Sequence, residues 1–214
     1  MTAKVNESPA RGTYRHGDLR NALLQAGIAL AREGGPDAIV LREATRRAGV
    51  VPNAAYRHFA SRQDLIDAVR SAALAELARE MEAGVAAATA GLEGAGAARA
   101  ALRAVGLGYL KFAREQQGLF LTTFPFPNDV RVDTDPARAG ASGLNPFQLL
   151  GAALDRMVDA GLMPATRRPG AEFLAWSAVH GLALLIIDGP LQHVPAPFHG
   201  QLAQRLLDMV EQGL

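Results

Sequence analysis

The sequence contains no cysteine among its 214 residues. This absence excludes disulfide bonds and thiol chemistry, and it removes the usual soft metal ligands. No apolar run is long enough to span a bilayer, because the most apolar stretch, residues 173–187, has 15 residues and includes a serine and a histidine. The first residues also lack the apolar segment of a secretory signal. We therefore expect a soluble, cytoplasmic protein.

The common signatures of catalytic sites are missing as well. None of the five histidines pairs with an acidic residue in the HExxH spacing of zinc enzymes. The sequence has no GxSxG motif and no glycine-rich phosphate-binding loop. We therefore predict a protein that is not an enzyme and that uses no metal and no cofactor.

Charge is divided unevenly along a chain whose formal net charge is only +1. Residues 1–70 hold 11 Lys and Arg against 7 Asp and Glu, and residues 71–214 hold 11 against 14. A basic N-terminal third suits a polyanionic partner. An asymmetry of this size also arises by chance, so charge supports a nucleic-acid partner only together with a motif.

Residues 41–64, LREATRRAGVVPNAAYRHFASRQD, have the pattern of two short helices joined by a tight turn. Gly49 ends the first helix, because glycine tolerates the positive φ of a chain that leaves a helix. Pro52 suits the first position of a second helix, predicted for residues 52–59. Ser61 caps a third helix in capping-box spacing. Such a pair of helices predicts a helix-turn-helix, whose second helix enters the major groove of DNA.

A longer helix precedes this motif, and further helices follow it. Asp18 is predicted to begin the first helix, which the Gly-Gly-Pro run at residues 34–36 ends. Phe59 is predicted to lie in the core against this helix. After Ser61 we expect a short helix and then a separate longer one, with a domain boundary near residue 70.

The exposed residues of the motif are suited to DNA. Asn53 offers a bidentate contact to adenine and Arg57 one to guanine. We expect Tyr56, His58 and Arg62 to hold phosphates without reading sequence; plain solvated surface is the alternative for the arginines. The predicted DNA-contacting residues are Arg42, Thr45, Arg46, Val51, Pro52, Asn53, Ala54, Tyr56, Arg57, His58 and Arg62.

The run YRHF at residues 56–59, followed by Ser61 and Leu65, resembles the DNA-binding head of the TetR family of bacterial repressors. A second match, at Trp176, His180 and Gly181, resembles a subclass named for Trp, His and Gly. The resemblance implies a ligand-responsive repressor that binds a palindromic operator as a homodimer and is released by a small molecule.

Two residues depart from the family pattern. The family usually has Thr or Ser where this chain has Val40 and Val51. Those hydroxyls cap the two short helices, and each loss costs about 1 kcal/mol. Either Val51 makes an apolar contact, such as one to a thymine methyl, or the head binds DNA more weakly than its relatives.

The predicted fold is all-α, with a three-helix helix-turn-helix domain at residues 1–70 and a helical ligand-binding and dimerisation domain at residues 71–214.

Three Phe and two Pro in residues 118–127 argue against a regular amphipathic helix, so this segment closes a cavity or belongs to the ordinary core. Residues 128–144 form a mobile loop or a lid. His180 either bonds a ligand or is a core histidine bonded to backbone or a neighbouring helix.

The effector is expected to be apolar or aromatic. The predicted ligand-binding residues are Tyr109, Phe112, Phe120, Phe124, Phe147, Leu150, Leu154, Trp176 and His180.

The last two helices suit a four-helix bundle between two protomers. The predicted dimerisation residues are Leu182, Leu185, Leu202, Leu206 and Met209. The alternative function is a helical protein-interaction adaptor without sequence-specific DNA binding.

Overall fold

The computed structural model describes residues 19–124 and 131–214. The described residues form an all-α fold without a strand, which confirms the predicted fold class. The helices are α1 (Leu19–Ala38), α2 (Leu41–Arg47), α3 (Pro52–Ala55), α4 (Arg62–Thr89), α5 (Gly94–Glu115), α6 (Gln117–Thr123), α7 (Pro146–Asp159), α8 (Ala171–Ile187) and α9 (Ala196–Gly213). Short 3₁₀ turns lie at Pro136–Arg138 and Ala165–Arg167.

The N-terminal head consists of α1, α2, α3 and the first turns of α4. Its core buries Leu23 and Leu30 of α1. Phe59 is also buried there, as predicted, and the Arg20 guanidinium lies 5.3 Å from the centre of its ring. The α1 backbone leaves helical geometry at Gly34 and Gly35, where the Gly-Gly-Pro run predicted an end. Asp18, predicted to begin this helix, lies outside the described residues.

Helix α4 joins the head to the body without a break. We predicted two helices here, and this prediction is wrong: α4 runs unbroken from Arg62 to Thr89. The physical reason is that residues 62–83 contain neither Gly nor Pro. The predicted boundary near residue 70 falls inside this helix, so the head and the body share one rigid element.

The body packs its helices closely at glycines. A Cβ atom on Gly106 of α5 would lie 2.5 Å from the Leu207 side chain of α9, and one on Gly108 would lie 3.0 Å from the Met81 Cα of α4. The two glycines therefore permit close approach of α5 to α9 and to α4. Glycine inside a helix costs about 1 kcal/mol relative to alanine, and close packing explains its use here.

We predicted that residues 118–127 do not form a regular amphipathic helix, but helix α6 covers most of this segment. Residues 117–123 form a regular helix, because the two prolines lie after it rather than inside it. Phe120 is fully buried, in agreement with the core alternative. A Cβ on Gly118 would lie 2.0 Å from the Ala31 carbonyl oxygen of α1. The body thus packs directly on the backbone of the head.

The loop before α7 packs against α4 over its described residues. The Glu82 carboxylate accepts hydrogen bonds from the backbone N–H groups of Ala141 and Ser142 and from the Ser142 hydroxyl. Arg138 donates to the Ser71 hydroxyl over 3.3 Å. Asn145 then caps α7 in a capping box.

Among the described residues, every helix is too short or too polar to cross a membrane.

Candidate DNA-binding and ligand-binding sites

The turn between α2 and α3 has the geometry that glycine provides. Gly49 has φ +67°, its N–H donates to the Arg46 carbonyl, and the Val50 N–H donates to the Thr45 carbonyl. These two bonds satisfy carbonyls at the end of α2 in a Schellman arrangement. The helix-turn-helix geometry is therefore encoded locally.

Helix α3 is shorter than predicted. It ends at Ala55 rather than at residue 59, because the N–H groups of His58 and Phe59 both bond to the Ala55 carbonyl and the winding tightens into a turn. Tyr56, Arg57 and His58 therefore lie on a turn that continues the short helix.

One face of α3 and its turn is open to solvent, and the opposite face is buried. Ala55 and Phe59 lie in the core, and Ala54 is half-buried. The exposed residues are Val51, Pro52, Asn53, Tyr56, Arg57 and His58. These residues are available to a partner, and their contacts with DNA stay a prediction.

Thr45 and Arg62, both predicted to contact DNA, donate hydrogen bonds to backbone carbonyls of the protein. Thr45 is only 2% exposed, and its hydroxyl donates to the Arg42 carbonyl over 2.6 Å. The prediction that Thr45 reaches a phosphate is wrong for this reason. The Arg62 guanidinium donates to the carbonyls of Ile39 at 2.7 Å and Pro36 at 2.8 Å, so it holds the end of α1 against the start of α4.

Carboxylates neutralise part of the basic surface. Arg46 makes a bidentate pair with Glu43, and Arg47 bridges Glu43 and Glu33. Hydrogen bonds from Arg46 and Arg47 lower the pKa of Glu43 to about 2, so this carboxylate stays ionised at neutral pH. Arg46 is well exposed and can exchange its partner for a phosphate.

Arg42 and Arg57 differ from this pair. Neither forms an ion pair with a carboxylate of the described residues, and both are exposed. Their charges are therefore directly available to an anion.

Both short helices lack a side-chain cap. Val40 and Val51 occupy the N-cap positions of α2 and α3 in extended geometry, and neither makes a capping bond. The structure confirms the prediction that both helices lack a side-chain N-cap. By contrast, Ser61 and Asp64 form the capping box predicted at the start of α4.

A cavity lies in the body between α4, α5, α7, α8 and α9. Its volume is about 80 Å³. Its apolar and aromatic lining comprises Leu74, Met81, Leu102, Val105, Gly106, Tyr109, Phe124, Pro146, Phe147, Leu150, Ala175, Trp176, Val179, Leu207 and Val210. Its polar lining comprises Arg70, Arg103, Thr123, Asp133, Asn145 and Glu211.

The structure brings five of the nine predicted ligand-binding residues to this cavity: Tyr109, Phe124, Phe147, Leu150 and Trp176. Phe112, Phe120 and Leu154 do not line this cavity and are buried in the core, so their contact with a ligand stays a prediction. His180 also does not line the cavity.

His180 instead bonds a residue of the cavity wall. The Trp176 Nε1–H donates to the Tyr109 oxygen over 3.1 Å, and that oxygen lies 2.8 Å from His180 Nδ1. With a neutral imidazole, either Nδ1 accepts from the Tyr109 hydroxyl or Nδ1–H donates to its oxygen, depending on the tautomer of His180. Burial lowers the pKa of His180 and favours this neutral form. His180 thus matches the alternative of a histidine bonded to a neighbouring helix.

Sequence reasoning missed the polar residues of the cavity. Arg70 is buried on α4, and its Nε donates to the Thr123 carbonyl at the end of α6 over 2.7 Å. Burial lowers the pKa of Arg70. A signal did exist, since Arg70 lies four residues after Ile66 on the buried face of α4. The described residues hold no cluster of three or more His, Asp or Glu side chains that could bind a metal.

An apolar surface runs along α8 and α9. Its exposed residues are Phe173, Leu174, Leu184, Leu185, Phe198 and Met209. Leu185 and Met209 were predicted for dimerisation, and Leu202 and Leu206 are half-buried at its margin. Leu182 was also predicted, but it is 8% exposed and faces the protomer's own core. Leu182 is therefore not available to a second protomer.

The helix-turn-helix head on a helical body defines a DNA-binding transcription regulator. The chain belongs to the TetR family. The description "Bacterial regulatory proteins, tetR family" matches residues 23–69, and "Tetracyclin repressor-like, C-terminal domain" matches residues 102–210. The comparison with curated proteins found no match.

Solved structures of low sequence identity share the fold. A Rhodococcus sp. RHA1 protein of unknown function is 24% identical, with a TM-score of 0.73 over 95% of this chain and 99% of that chain. A putative tetR family transcription regulator from Shewanella sp. PV-4 is 12% identical, with a TM-score of 0.60 over 89% and 96%. The TetR family transcriptional regulator PfmR from Thermus thermophilus is 19% identical, with a TM-score of 0.56 over 90% and 98%.

Proposed function

We propose that the protein is a cytoplasmic transcriptional repressor that binds a palindromic operator as a homodimer and is released by a small molecule. The observation that carries this proposal is the exposed face of α3 and its turn. Asn53 and Arg57 stand on that face with side chains free for base edges, while Ala55 and Phe59 anchor it from behind. Arg42 adds an unpaired charge for the phosphate backbone.

Dimerisation is supported by the surface of α8 and α9. One short reading helix contacts only a few base pairs, so two-fold symmetry supplies the second half-site. Leu174, Leu185 and Met209 are large apolar side chains that are between 44% and 67% exposed. Burying them in a four-helix bundle with a second copy stabilises the dimer.

Control by a ligand is supported by the helices that the cavity shares with the head. Arg70 on α4 lines the cavity and bonds the end of α6, and Gly118 of α6 packs on α1. A ligand that moves α6 or α4 therefore changes the position of the head. The ligand shifts the population toward a conformation whose two heads no longer match the half-site spacing.

The experiment is selection of bound duplexes from a random DNA pool by the full-length protein at near-physiological salt. We expect a two-fold palindrome with half-site centres about one helical turn apart. Binding without a consensus, weakening steeply with salt, would favour the adaptor function. The apolar surface of α8 and α9 would then be its partner site. Sedimentation of the free protein tests dimerisation separately.

A further inference from the structure

The cavity is too small to hold an effector by itself. Its volume is about 80 Å³. An engineered cavity of about 150 Å³ holds benzene, and small-molecule sites commonly have volumes of about 300–1,000 Å³. A cavity of this volume, with Trp176, Phe124 and Val179 in its lining, can hold only a small apolar group of a larger molecule. The rest of that molecule must lie outside.

A second concavity lies on the other side of Arg103. It is an open groove of about 640 Å³ between α4, α5, α8 and α9. Its floor is made of small residues, including Gly84, Ala104 and Ala203. Arg103 is the one residue common to the described linings of the cavity and the groove.

The groove and the cavity differ in charge. The described lining of the groove has three Lys and Arg side chains, Arg103, Lys111 and Arg114, against one carboxylate, Glu80. Glu80 is already bonded to Lys111 over 2.6 Å. All three cations are ion-paired within the protein, Arg114 with Glu115 over 3.3 Å and Arg103 with Asp208, so an anionic group binds in the groove by replacing one of these partners. The apolar lining of the cavity suits hydrocarbon.

Arg103 is held in a way that permits an exchange of partners. Its guanidinium bonds Asp208 over 2.5 Å and Gln204 over 2.6 Å, with Glu211 at 3.5 Å. The Asp208 side chain is 53% exposed. An entering carboxylate can replace it, because an exposed carboxylate returns to water at little cost and Arg103 remains paired. The exchange would also open the seam between α5 and α9.

We propose that the cavity, Arg103 and the groove form one extended site for an amphipathic anion. Its unbranched apolar end enters the cavity, its acidic head replaces Asp208 on Arg103, and its remaining bulk lies in the groove. This inference rests on the proposed effector role of the cavity. It names the chemical class of the effector and its route of entry.

The test uses butanoate and 1-butanol as probes, which have the same short chain length but differ in charge at neutral pH. Trp176 is the only tryptophan of the chain and lines the cavity, so its fluorescence reports occupancy. We expect butanoate to bind the full-length protein about tenfold more tightly than 1-butanol, because a hydrogen bond to a charged group is worth more than one to a neutral group.

Two variants assign this preference to one side chain. Arg103→Met keeps an apolar stem and removes the charge, and we expect it to abolish the preference for butanoate. Arg99→Met is the matched control. Arg99 lies one turn earlier on α5 and pairs with Glu211, but it lines neither the cavity nor the groove. We expect Arg99→Met to keep the preference.

Several results would overturn the inference. Equal affinity for the two probes would leave a cavity site without an anionic head. Equal loss in both variants would mean that the preference reflects the general charge of α5. No change in Trp176 fluorescence with either probe would exclude this ligand class. None of these results bears on the DNA selection, which tests the proposed function independently.

Discussion

Replacing Gly118 by alanine tests the close contact between the head and the body. The new Cβ would lie 2.0 Å from the Ala31 carbonyl oxygen, 3.0 Å from its carbonyl carbon and 3.1 Å from the Gly35 nitrogen. Ordinary Cβ contacts begin near 3.4 Å, so α6 would have to move away from α1 by about 1.4 Å. All three neighbours are backbone atoms, which no side-chain rotation can remove.

The expected cost follows from this geometry. Overpacking of a core costs about 1–3 kcal/mol, and contact with backbone atoms on several sides places Gly118 near the upper end. Alanine regains up to about 1 kcal/mol of helix propensity. We therefore expect Gly118→Ala to lower the free energy of unfolding by about 2 kcal/mol. Urea unfolding at a fixed protein concentration measures this, since the proposed dimerisation would make stability depend on concentration.

Gly96→Ala is the matched control for this experiment. Gly96 lies in the first turn of α5, and a Cβ added there meets no atom within 4 Å. We expect this variant to be as stable as the wild type or slightly more stable. If Gly118→Ala were as stable as Gly96→Ala, the close packing of α6 on α1 would be refuted.

Five further substitutions have defined outcomes. Val51→Ser supplies the missing cap of α3 and should raise the free energy of unfolding by about 1 kcal/mol in urea titrations; no gain would mean that the N-cap geometry is wrong. Arg57→Ala should weaken binding to the selected duplex by about 1–3 kcal/mol and make the protein less selective for that DNA sequence. Arg46→Ala should instead weaken binding to all DNA sequences by a similar factor. Leu185→Asp should shift the sedimentation coefficient toward the monomer, and an unchanged dimer would place the interface elsewhere. Burial lowers the pKa of His180 in the folded protein, so at a pH near or below about 6.5 the unfolded chain binds a proton that the folded protein does not. The free energy of unfolding should therefore decrease as the pH falls below about 6.5. This decrease should be smaller in His180→Gln.

The head could be predicted because its signals are local. Gly49 at the end of α2, Pro52 at the start of α3 and the pair of Ser61 and Asp64 each determine the backbone within a few residues. Thr45 misled the prediction because its polarity suggested exposure. In the structure its hydroxyl is satisfied by a carbonyl three residues earlier, which allows the side chain to be buried.

The body was predicted less completely because its site is made by long-range packing. Aromatic residues were assigned to the ligand by type, but Phe120 fills the core while Phe124, four residues later, faces the cavity. Arg103 and Leu207 reach the cavity only because α5 and α9 pack at Gly106. Their place could not be read from the spacing of either helix alone.

We propose that a small molecule bound in the body controls how the head binds DNA. The most direct test is the affinity of the protein for its selected duplex, with and without a small molecule that changes Trp176 fluorescence. We predict that the small molecule weakens duplex binding by about tenfold or more, and that the duplex weakens the small molecule by the same factor. Equal duplex affinity in its presence and absence would contradict the account.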